Sequence, residues 1–299
     1  SRPLFRIIKC RKVIRNNKPD VILSFLVVPN FIAILAGFPF KKWKLIVGER
    51  SADPKILKSW KKKFFRWFHI FADQVICNSN CNNEMVLKVN PLISKKTSVI
   101  YNLAVFPIIK SNVPFPIENE KIEIVVLARY HKTKNANGLI KAFALLEEKD
   151  KQKLNVNWYG SKETVDNEYD KTRLLINELC LEKYFTLHGV TSNVPEVINS
   201  SNVVGLFSFF EGLPNTICEA LSLGKVVIAS DVSDIPILLG SDKRVLFNPN
   251  DAKDIARVLR NLIEFNLKET EVIEQQNFNF AVNNFEKEKI VLKYLSCFK

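Results

Sequence analysis

Two glutamates eight residues apart are the first residues whose positions indicate chemistry. Glu211 lies in a turn after a predicted strand, and Glu219 lies within a helix predicted from about Pro214. Carboxylates accept hydrogen bonds from hydroxyl groups, so each of them suits a diol, one on a sugar and the other on a ribose. An acid inside an otherwise apolar helix is unexpected unless it has a partner.

The backbone that follows Glu211 predicts a site for phosphate. Proline favours the first helical position, and a helix N-terminus presents unpaired N–H groups at the positive end of the helix dipole. A glycine before the helix lets the backbone approach a ligand. This turn and helix start comprise Gly212, Leu213, Pro214, Asn215 and Thr216.

Two further loops add candidate groups at the same predicted sheet edge. Arg129 and Lys134 follow a strand, and two fixed cations in one strand-to-helix loop suit a diphosphate. A basic surface loop without a ligand is the alternative. His188, Gly189 and Val190 follow another strand, and the glycine there permits close approach of a nucleotide base. A lone histidine is more often structural than catalytic.

An alternation of strands and helices predicts the elements that hold these loops. The first part of the chain has predicted strands at 21–26, 44–47, 74–77 and 98–101. The second part has them at 123–127, 155–158, 185–187, 203–207, 226–229 and 245–247. The predicted helices include 30–36, 54–71, 137–146, 169–179, 194–199, 214–223, 251–266 and 287–298. This order predicts two α/β domains with parallel sheets, joined by a proline-containing linker at 111–120, with a cleft between them.

The net charge is +13, and the excess lies in the first third of the chain. Residues 1–110 contain 21 basic and 5 acidic residues, whereas residues 111–299 contain 23 basic and 26 acidic residues. Such asymmetry indicates an anionic partner, either nucleic acid or a membrane surface. A solvated basic surface is the alternative.

Two apolar segments of this basic part allow more than one interpretation. Residues 21–40 carry no charge and have the length of a membrane span, but Pro29 and Asn30 interrupt them, so a strand and a short helix are favoured. The helix predicted at 54–71 carries an apolar stripe, which we expect to face the core. The alternative is an interfacial helix on anionic lipid. The residues of the stripe are Leu57, Trp60, Phe64, Phe68 and Phe71.

The six cysteines and three histidines are scattered, apart from Cys77 and Cys81. One CxxxC without a second pair is a weak metal signal, so we expect no metal site. No secretory signal is visible, which favours reduced cysteines in a cytosolic protein. The chain begins at Ser1 in a basic amphipathic stretch, and we expect N-terminal elements to be missing.

The motif F-E-G-L-P-N-T-x-x-E-A at 210–220, with Arg129 and Lys134 upstream, resembles the retaining glycosyltransferases of the large GT4 family. The segments at 188–196 and 228–236 resemble the same family. Over 1–110 the likeness is looser and is to bacterial members that build surface polysaccharides. It is carried there by short segments at 24–25, 48–50, 78–79 and 100–102.

This resemblance implies a GT-B fold, in which two Rossmann-like domains, at 1–110 and 121–280, face each other across a cleft. A C-terminal helix at 281–299 crosses back to the first domain. It implies that Arg129 and Lys134 hold the donor diphosphate, while Glu211 binds donor sugar hydroxyls and Glu219 the ribose. It also implies that the backbone of residues 212–216 faces the donor sugar and phosphates. UDP is the nucleotide expected, and no metal or other cofactor is required.

The expected acceptor is a glycan or a lipid-linked glycan, with Arg50 and Asn102 on the acceptor side. Many family members have a histidine where this chain has the segment 48–51. The expected location is cytoplasmic, peripheral on the inner face of the cell membrane. The alternatives are a sugar-nucleotide epimerase on the same scaffold, for which no acid/base cluster is found, or a basic protein that binds nucleic acid or a membrane. No nucleic-acid motif is recognised, so nucleic acid is not the expected partner.

Overall fold

The computed structural model describes residues 3–103, 108–111, 115–116, 120–163 and 166–299. The chain divides into two compact units. Unit 1 comprises Ser1–Asn102, Phe210–Leu213 and Lys287–Lys299, and unit 2 comprises Leu103–Phe209 and Pro214–Glu286. Of the predicted linker, residues 112–114 and 117–119 lie outside the described residues.

Unit 1 contains a four-stranded parallel sheet in the order β1-β2-β3-β4. Its strands are β1 (Val21–Phe25), β2 (Lys44–Glu49), β3 (Gln74–Cys77) and β4 (Thr97–Val99). Its helices are α1 (Pro3–Asn17), α2 (Val27–Gly37), α3 (Lys55–Lys58), α4 (Trp60–Trp67) and α5 (Asn80–Val89), with 3₁₀ turns at Phe68–Phe71 and Pro91–Lys96.

Both faces of the unit 1 sheet are buried. Leu45 and Val47 of β2 pack with Ile34 of α2 on one face. Ile46, between them, packs on the other face with Ile290 of the C-terminal helix. Because successive side chains of a strand point to opposite faces, a strand covered on both sides must be apolar throughout.

Unit 2 contains a six-stranded parallel sheet in the order β10-β9-β8-β5-β6-β7. Its strands are β5 (Ile122–Leu127), β6 (Leu154–Tyr159), β7 (Phe185–His188), β8 (Val203–Leu206), β9 (Val226–Ser230) and β10 (Leu246–Phe247). Its helices are α6 (Ala136–Ala144), α7 (Glu148–Lys151), α8 (Glu168–Glu178), α9 (Val194–Ser200), α10 (Asn215–Ser222), α11 (Ile235–Leu238), α12 (Ala252–Glu264) and α13 (Leu267–Asn284). The last helix, α14 (Lys287–Phe298), belongs to unit 1.

The order of the unit 2 strands makes the sheet doubly wound. The chain starts at β5 in the middle, runs outward through β6 and β7, and returns to β8 on the other side of β5. The strand order therefore reverses between β5 and β8, and ligands of open α/β sheets bind at the carboxyl ends of strands beside such a reversal. The predicted α/β class with two parallel-sheet domains is confirmed.

The helix predicted at 54–71 is wrong in two respects. It is broken into α3, α4 and a 3₁₀ turn, because Ser59 adopts an extended conformation and caps α4. Its stripe faces the core only in part: Leu57 and Phe68 pack against core clusters, whereas Trp60, Phe64 and Phe71 are exposed. The buried member of α4 is Arg66, whose guanidinium has a partner inside unit 1.

Helix α13 was not predicted, although it has 18 residues. Its buried face includes the polar residues Thr270 and Asn277, which hide the helical period. A local signal was present, because Asn266 and Glu269 form a capping box at its start. No described helix is both long and apolar enough to cross a bilayer.

Candidate donor site and family

Tyr130 fixes the loop that carries the predicted phosphate-binding cations. Its ring is fully buried, and its single hydroxyl proton is shared between the carbonyl oxygens of Trp158 (2.9 Å) and His188 (3.0 Å). The loop after β5 is therefore tied to the ends of β6 and β7. Gly160 permits this approach, since a Cβ at Gly160 would overlap the carbonyl oxygen of Ala128.

The two cations lie on either side of this anchor. Arg129 is exposed and makes no ion pair or hydrogen bond within the described residues. Lys134 ends a short 3₁₀ turn and is half-buried. Asn135, with φ of 60°, then starts α6, accepting from Gly138 N and donating to the carbonyl oxygen of Pro249. Buried contacts thus hold both ends of the loop, and the guanidinium of Arg129 extends from it into solvent.

Helix α10 begins one residue later than predicted. Pro214 is its N-cap in an extended conformation, so it is not the first helical residue. Proline has no side-chain acceptor for the N–H groups of the first turn, which leaves that end suited to an anion. Thr216 anchors it by donating its hydroxyl to the carbonyl oxygen of Leu127 at 3.3 Å, and the neighbouring Asn215 is exposed. Gly224, with φ of 68°, closes the other end.

Glu219 is the unusual residue of α10. Its side chain is 8% exposed, and its carboxylate accepts no hydrogen bond from any described residue. Burial raises the pKa of this carboxyl above its ordinary value. A buried carboxylate without a partner is costly, and the two oxygens of Glu219 are therefore available to accept hydrogen bonds from another molecule.

The side chain of His188 is held by contacts within the protein. Its Nε2 is 3.0 Å from Asn157 Oδ1, and its ring stacks on Tyr159 with centroids 4.1 Å apart. Because Asn157 donates its amide to Glu123, its oxygen is left to accept from Nε2–H of the histidine. Burial, with the charge of Lys162, lowers the pKa of His188, so the ring is neutral near pH 7.

Gly189 differs from the other glycines around the sheet edge. A Cβ at Gly189 would meet no atom within 4 Å, and Val190 after it is exposed. The fold therefore does not require glycine at 189, and there is open space beside the backbone for a ligand.

The turn with Glu211 belongs to unit 1 through its contacts. A Cβ at Gly212 would be 2.8 Å from the carbonyl oxygen of Arg50, so packing within unit 1 already requires this glycine. Leu213 is buried, and Glu211 is half-buried. The side chain of Arg50 lies 4.5 Å over the ring of Phe25, and its Nη1 is 3.2 Å from Asn102 Oδ1. The two residues predicted on the acceptor side therefore lie together.

The sequence analysis missed several residues at these strand ends. Tyr130 and Gly160 position the loop of Arg129, but nothing in their spacing shows which carbonyl groups they meet. Ser208, just after β8, is fully buried, and its hydroxyl has no partner among the described residues. Within the described part of the chain, no group of three or more His, Cys, Asp or Glu side chains is arranged to hold a metal ion.

The chain belongs to a glycosyltransferase family. Residues 109–292 match the family of glycosyl transferases group 1, which covers more than half of the chain. Residues 1–103 match Glycosyltransferase Family 4. These matches confirm the resemblance predicted from the motifs at 210–220 and 129–134.

Curated relatives are also named as glycosyltransferases. A Campylobacter jejuni protein named N-acetylgalactosamine-N,N'-diacetylbacillosaminyl-diphospho-undecaprenol 4-alpha-N-acetylgalactosaminyltransferase is 28% identical over 234 residues, 76% of this chain and 62% of the relative. An uncharacterised glycosyltransferase of Methanocaldococcus jannaschii is 26% identical over 258 residues, 78% of this chain and 61% of the relative. The chain thus spans about three fifths of the length of these two relatives.

Solved structures show the fold. A glycosyltransferase from Rickettsia africae has a TM-score of 0.83 at 16% identity, over 99% of this chain and 80% of that chain. The Anabaena protein HepE, in complex with UDP and glucose, has a TM-score of 0.81 at 19% identity, over 96% and 80%. Together with the two parallel-sheet units, these likenesses define a GT-B fold.

Proposed function

We propose that this protein is a retaining glycosyltransferase. In this proposal it moves a hexose or N-acetylhexosamine from a UDP-linked donor to a glycan or lipid-linked acceptor, in the synthesis of a surface polysaccharide. Membership of a glycosyltransferase family supports the transfer of sugar from a nucleotide. UDP is favoured because the Anabaena protein of the same fold is in complex with UDP and glucose.

The observation that carries the donor site is the carboxylate of Glu219. It is buried on the helix that follows a phosphate-suited turn, and no described residue offers it a hydrogen bond. A ribose presents two neighbouring hydroxyl groups, and a carboxylate accepts from both with its two oxygens. In the proposal Glu219 holds the ribose, and Glu211 binds hydroxyls of the donor sugar.

The cations of the loop after β5 would stabilise the leaving group. When the bond between the anomeric carbon and the diphosphate oxygen breaks, its electrons stay on the diphosphate. Arg129 and Lys134 would balance that charge, with the N-terminus of α10. The acceptor hydroxyl attacks from the face that the diphosphate leaves, and its proton goes to a diphosphate oxygen. Metal independence is part of this proposal and rests on the family resemblance.

The proposed acceptor side lies in unit 1, with Arg50 and Asn102 on its surface. A lipid-linked acceptor is supported by the Campylobacter relative, whose name specifies a diphospho-undecaprenol substrate. The basic excess of residues 1–110 also favours an acceptor that carries phosphate. We therefore propose a cytoplasmic protein that is peripheral on the inner face of the cell membrane.

A donor-release assay tests this function. The chain is incubated with UDP- and GDP-activated hexoses and a polyprenyl-diphosphate glycan, and the released nucleotide is measured with and without a chelator. Release from one UDP-sugar that depends on the acceptor is expected, with an NMR spectrum that shows the donor's anomeric configuration in the product. The exposed residue Glu178 supplies a control, because Glu178→Ala should retain the release that Glu211→Ala loses. Release from no donor, or an inverted product, would contradict the proposal.

A further inference from the structure

Helix α4 turns its aromatic residues towards solvent. At 3.6 residues per turn, Trp60, Phe64 and Trp67 fall within an arc of about 60°. All three are exposed, and Trp60 is 78% exposed. Lys61 and Lys63 are exposed and lie on either side of this stripe. An aromatic stripe bordered by lysines is the pattern of a helix that lies in a membrane interface.

A buried ion pair holds the helix in this orientation. Arg66, on the opposite side of α4, is 1% exposed, and its Nη2 is 2.8 Å from Oε2 of Glu49 at the end of β2. Glu49 also accepts from His69 Nε2 at 2.8 Å. Rotating α4 to bury its aromatic stripe would move Arg66 away from Glu49. The buried carboxylate of Glu49 would then lose its charged partner, which is costly. The exposed stripe is therefore a fixed feature of unit 1.

The aromatic surface extends beyond α4 through ring contacts. The centroid of Phe64 is 5.1 Å from that of Phe68, which is 5.9 Å from Phe71, and Phe71 is 5.7 Å from Phe38. Phe31 of α2 packs against the same rings. Phe31 and Phe68 are half-buried and connect the exposed rings. We call the whole set the aromatic surface: Phe31, Phe38, Trp60, Phe64, Trp67, Phe68 and Phe71.

The charge around the aromatic surface is predominantly positive. Residues 21–72 include ten lysines and arginines but only two acids, Glu49 and Asp53. Both acids are already paired, Glu49 with Arg66 and Asp53 with Lys62 at 2.7 Å. No unpaired acid of this segment therefore opposes an anionic partner.

We infer that the aromatic surface, together with Lys61 and Lys63, binds unit 1 to the surface of an anionic phospholipid bilayer. Tryptophan rings favour the interfacial depth of a bilayer, and lysines beside them reach anionic headgroups. Neighbouring rings pack edge-on or tilted against one another, which does not supply the separated flat platforms on which nucleotide bases stack. The inference deepens the peripheral location proposed above and rests on it.

Vesicle flotation tests the aromatic surface. The chain is mixed with vesicles of phosphatidylcholine alone, or with part of it replaced by anionic phosphatidylglycerol. We expect K61Q/K63Q to weaken partitioning to anionic vesicles by about 25-fold, about fivefold per lysine, and to leave binding to neutral vesicles unchanged. W60S/W67S should weaken both by more than about tenfold. The control is L174S/V272S in unit 2, which removes two exposed apolar side chains without effect.

Fluorescence gives a second readout. Lipids brominated in the acyl chain should quench Trp60 and Trp67 in the wild-type chain, whereas W60S/W67S retains the half-buried Trp43 and the buried Trp158 and should not be quenched. All variants should keep the wild-type Tm and UDP affinity. A wild-type chain that floats with anionic vesicles but does not bind UDP would refute the donor site and leave the membrane surface supported.

Equal flotation of wild type and both surface variants would overturn the inference. So would a dimer that W60S/W67S dissociates in sedimentation, without vesicle binding by the wild type. Salt-sensitive binding of duplex DNA that K61Q/K63Q abolishes, with no flotation, would assign the surface to nucleic acid instead.

Discussion

Replacing Glu219 with glutamine should stabilise the unliganded protein and weaken nucleotide binding. Glu219 is 8% exposed, and its carboxylate has no hydrogen-bond partner among the described residues, so partial loss of solvation of its charge destabilises the folded state. Glutamine has nearly the same shape and no charge. The same change removes the charged acceptor that we propose for the ribose, so stability and binding should change in opposite directions.

The expected magnitudes follow from the cost of an unpaired buried group, which is about 1–3 kcal/mol. Because the glutamine amide keeps part of that cost, we expect a gain of about 1 kcal/mol. For a unit of roughly 180 residues this corresponds to a rise in Tm of about 2–4 °C. A hydrogen bond to a charged group contributes about 1.5–3 kcal/mol, so the Kd for UDP should rise about 10- to 150-fold.

The stability gain should depend on pH. The pKa of Glu219 is raised in the folded state, so its protonated carboxyl favours folding. This contribution is fully present below the ordinary pKa of 4.5 and is lost as the pH rises through the folded pKa. The Tm of Glu219→Gln should therefore exceed that of wild type at pH 7–8, and the two should converge near pH 4.

Scanning calorimetry across this pH range, with UDP titrations at pH 7.5, measures both effects. Glu178→Gln on α8 is the matched control, since Glu178 is exposed. A Glu219→Gln variant that is less stable than wild type at pH 7–8 would show that the carboxylate already has a favourable partner. An unchanged UDP affinity would remove Glu219 from the donor site.

Four more substitutions test the surrounding structure. Gly189→Ala should leave Tm unchanged and weaken UDP binding at least about tenfold, because its Cβ would occupy the space proposed for the base. Gly160→Ala should lower Tm by several degrees, because its Cβ would overlap a backbone carbonyl oxygen. Tyr130→Phe should destabilise by about 1–2 kcal/mol in urea unfolding, since two carbonyl groups lose a donor. Glu49→Gln should cost about 3–5 kcal/mol by leaving Arg66 buried with a neutral partner. Burial raises the pKa of Glu49, but hydrogen bonds and the charges of its partners outweigh this and lower it, so the cost is present above pH 4.5 and vanishes as the pH falls through the folded value.

If Gly160→Ala keeps the wild-type Tm as Gly189→Ala does, the backbone around Gly160 is not crowded as described. A Tyr130→Phe curve superimposable on wild type would remove the anchoring role of Tyr130. A Glu49→Gln cost that is as large at pH 3 as at pH 7 would mean that packing, rather than charge, explains it.

The sequence predicted the parallel strands because strands buried on both faces contain apolar runs, as at 45–47 in β2, at 203–206 in β8 and at 226–229 in β9. The prediction was wrong for the orientation of α4, because its periodic apolar residues were expected to face the core. The orientation of that helix depends on Glu49, which is 17 residues from Arg66. A local period does not show a partner at that distance.

The candidate site was predictable in its residue types but not in its supports. Motif spacing indicated Arg129, Lys134, Glu211 and Glu219. The glycine at 212 was predicted to admit a ligand, yet a Cβ there would already crowd the carbonyl oxygen of Arg50. Such contacts join residues that are far apart in sequence, so only the fold reveals them.

The most direct test of the donor site is calorimetric titration with UDP and with uridine. Arg129→Ala is compared with Lys132→Ala, which removes another exposed cation from the same loop. We predict that wild type binds UDP more tightly than uridine, that Arg129→Ala weakens UDP binding about tenfold or more with uridine unaffected, and that Lys132→Ala changes neither. Equal affinities of wild type for UDP and uridine, or UDP binding that Arg129→Ala leaves unchanged, would contradict the proposed diphosphate site.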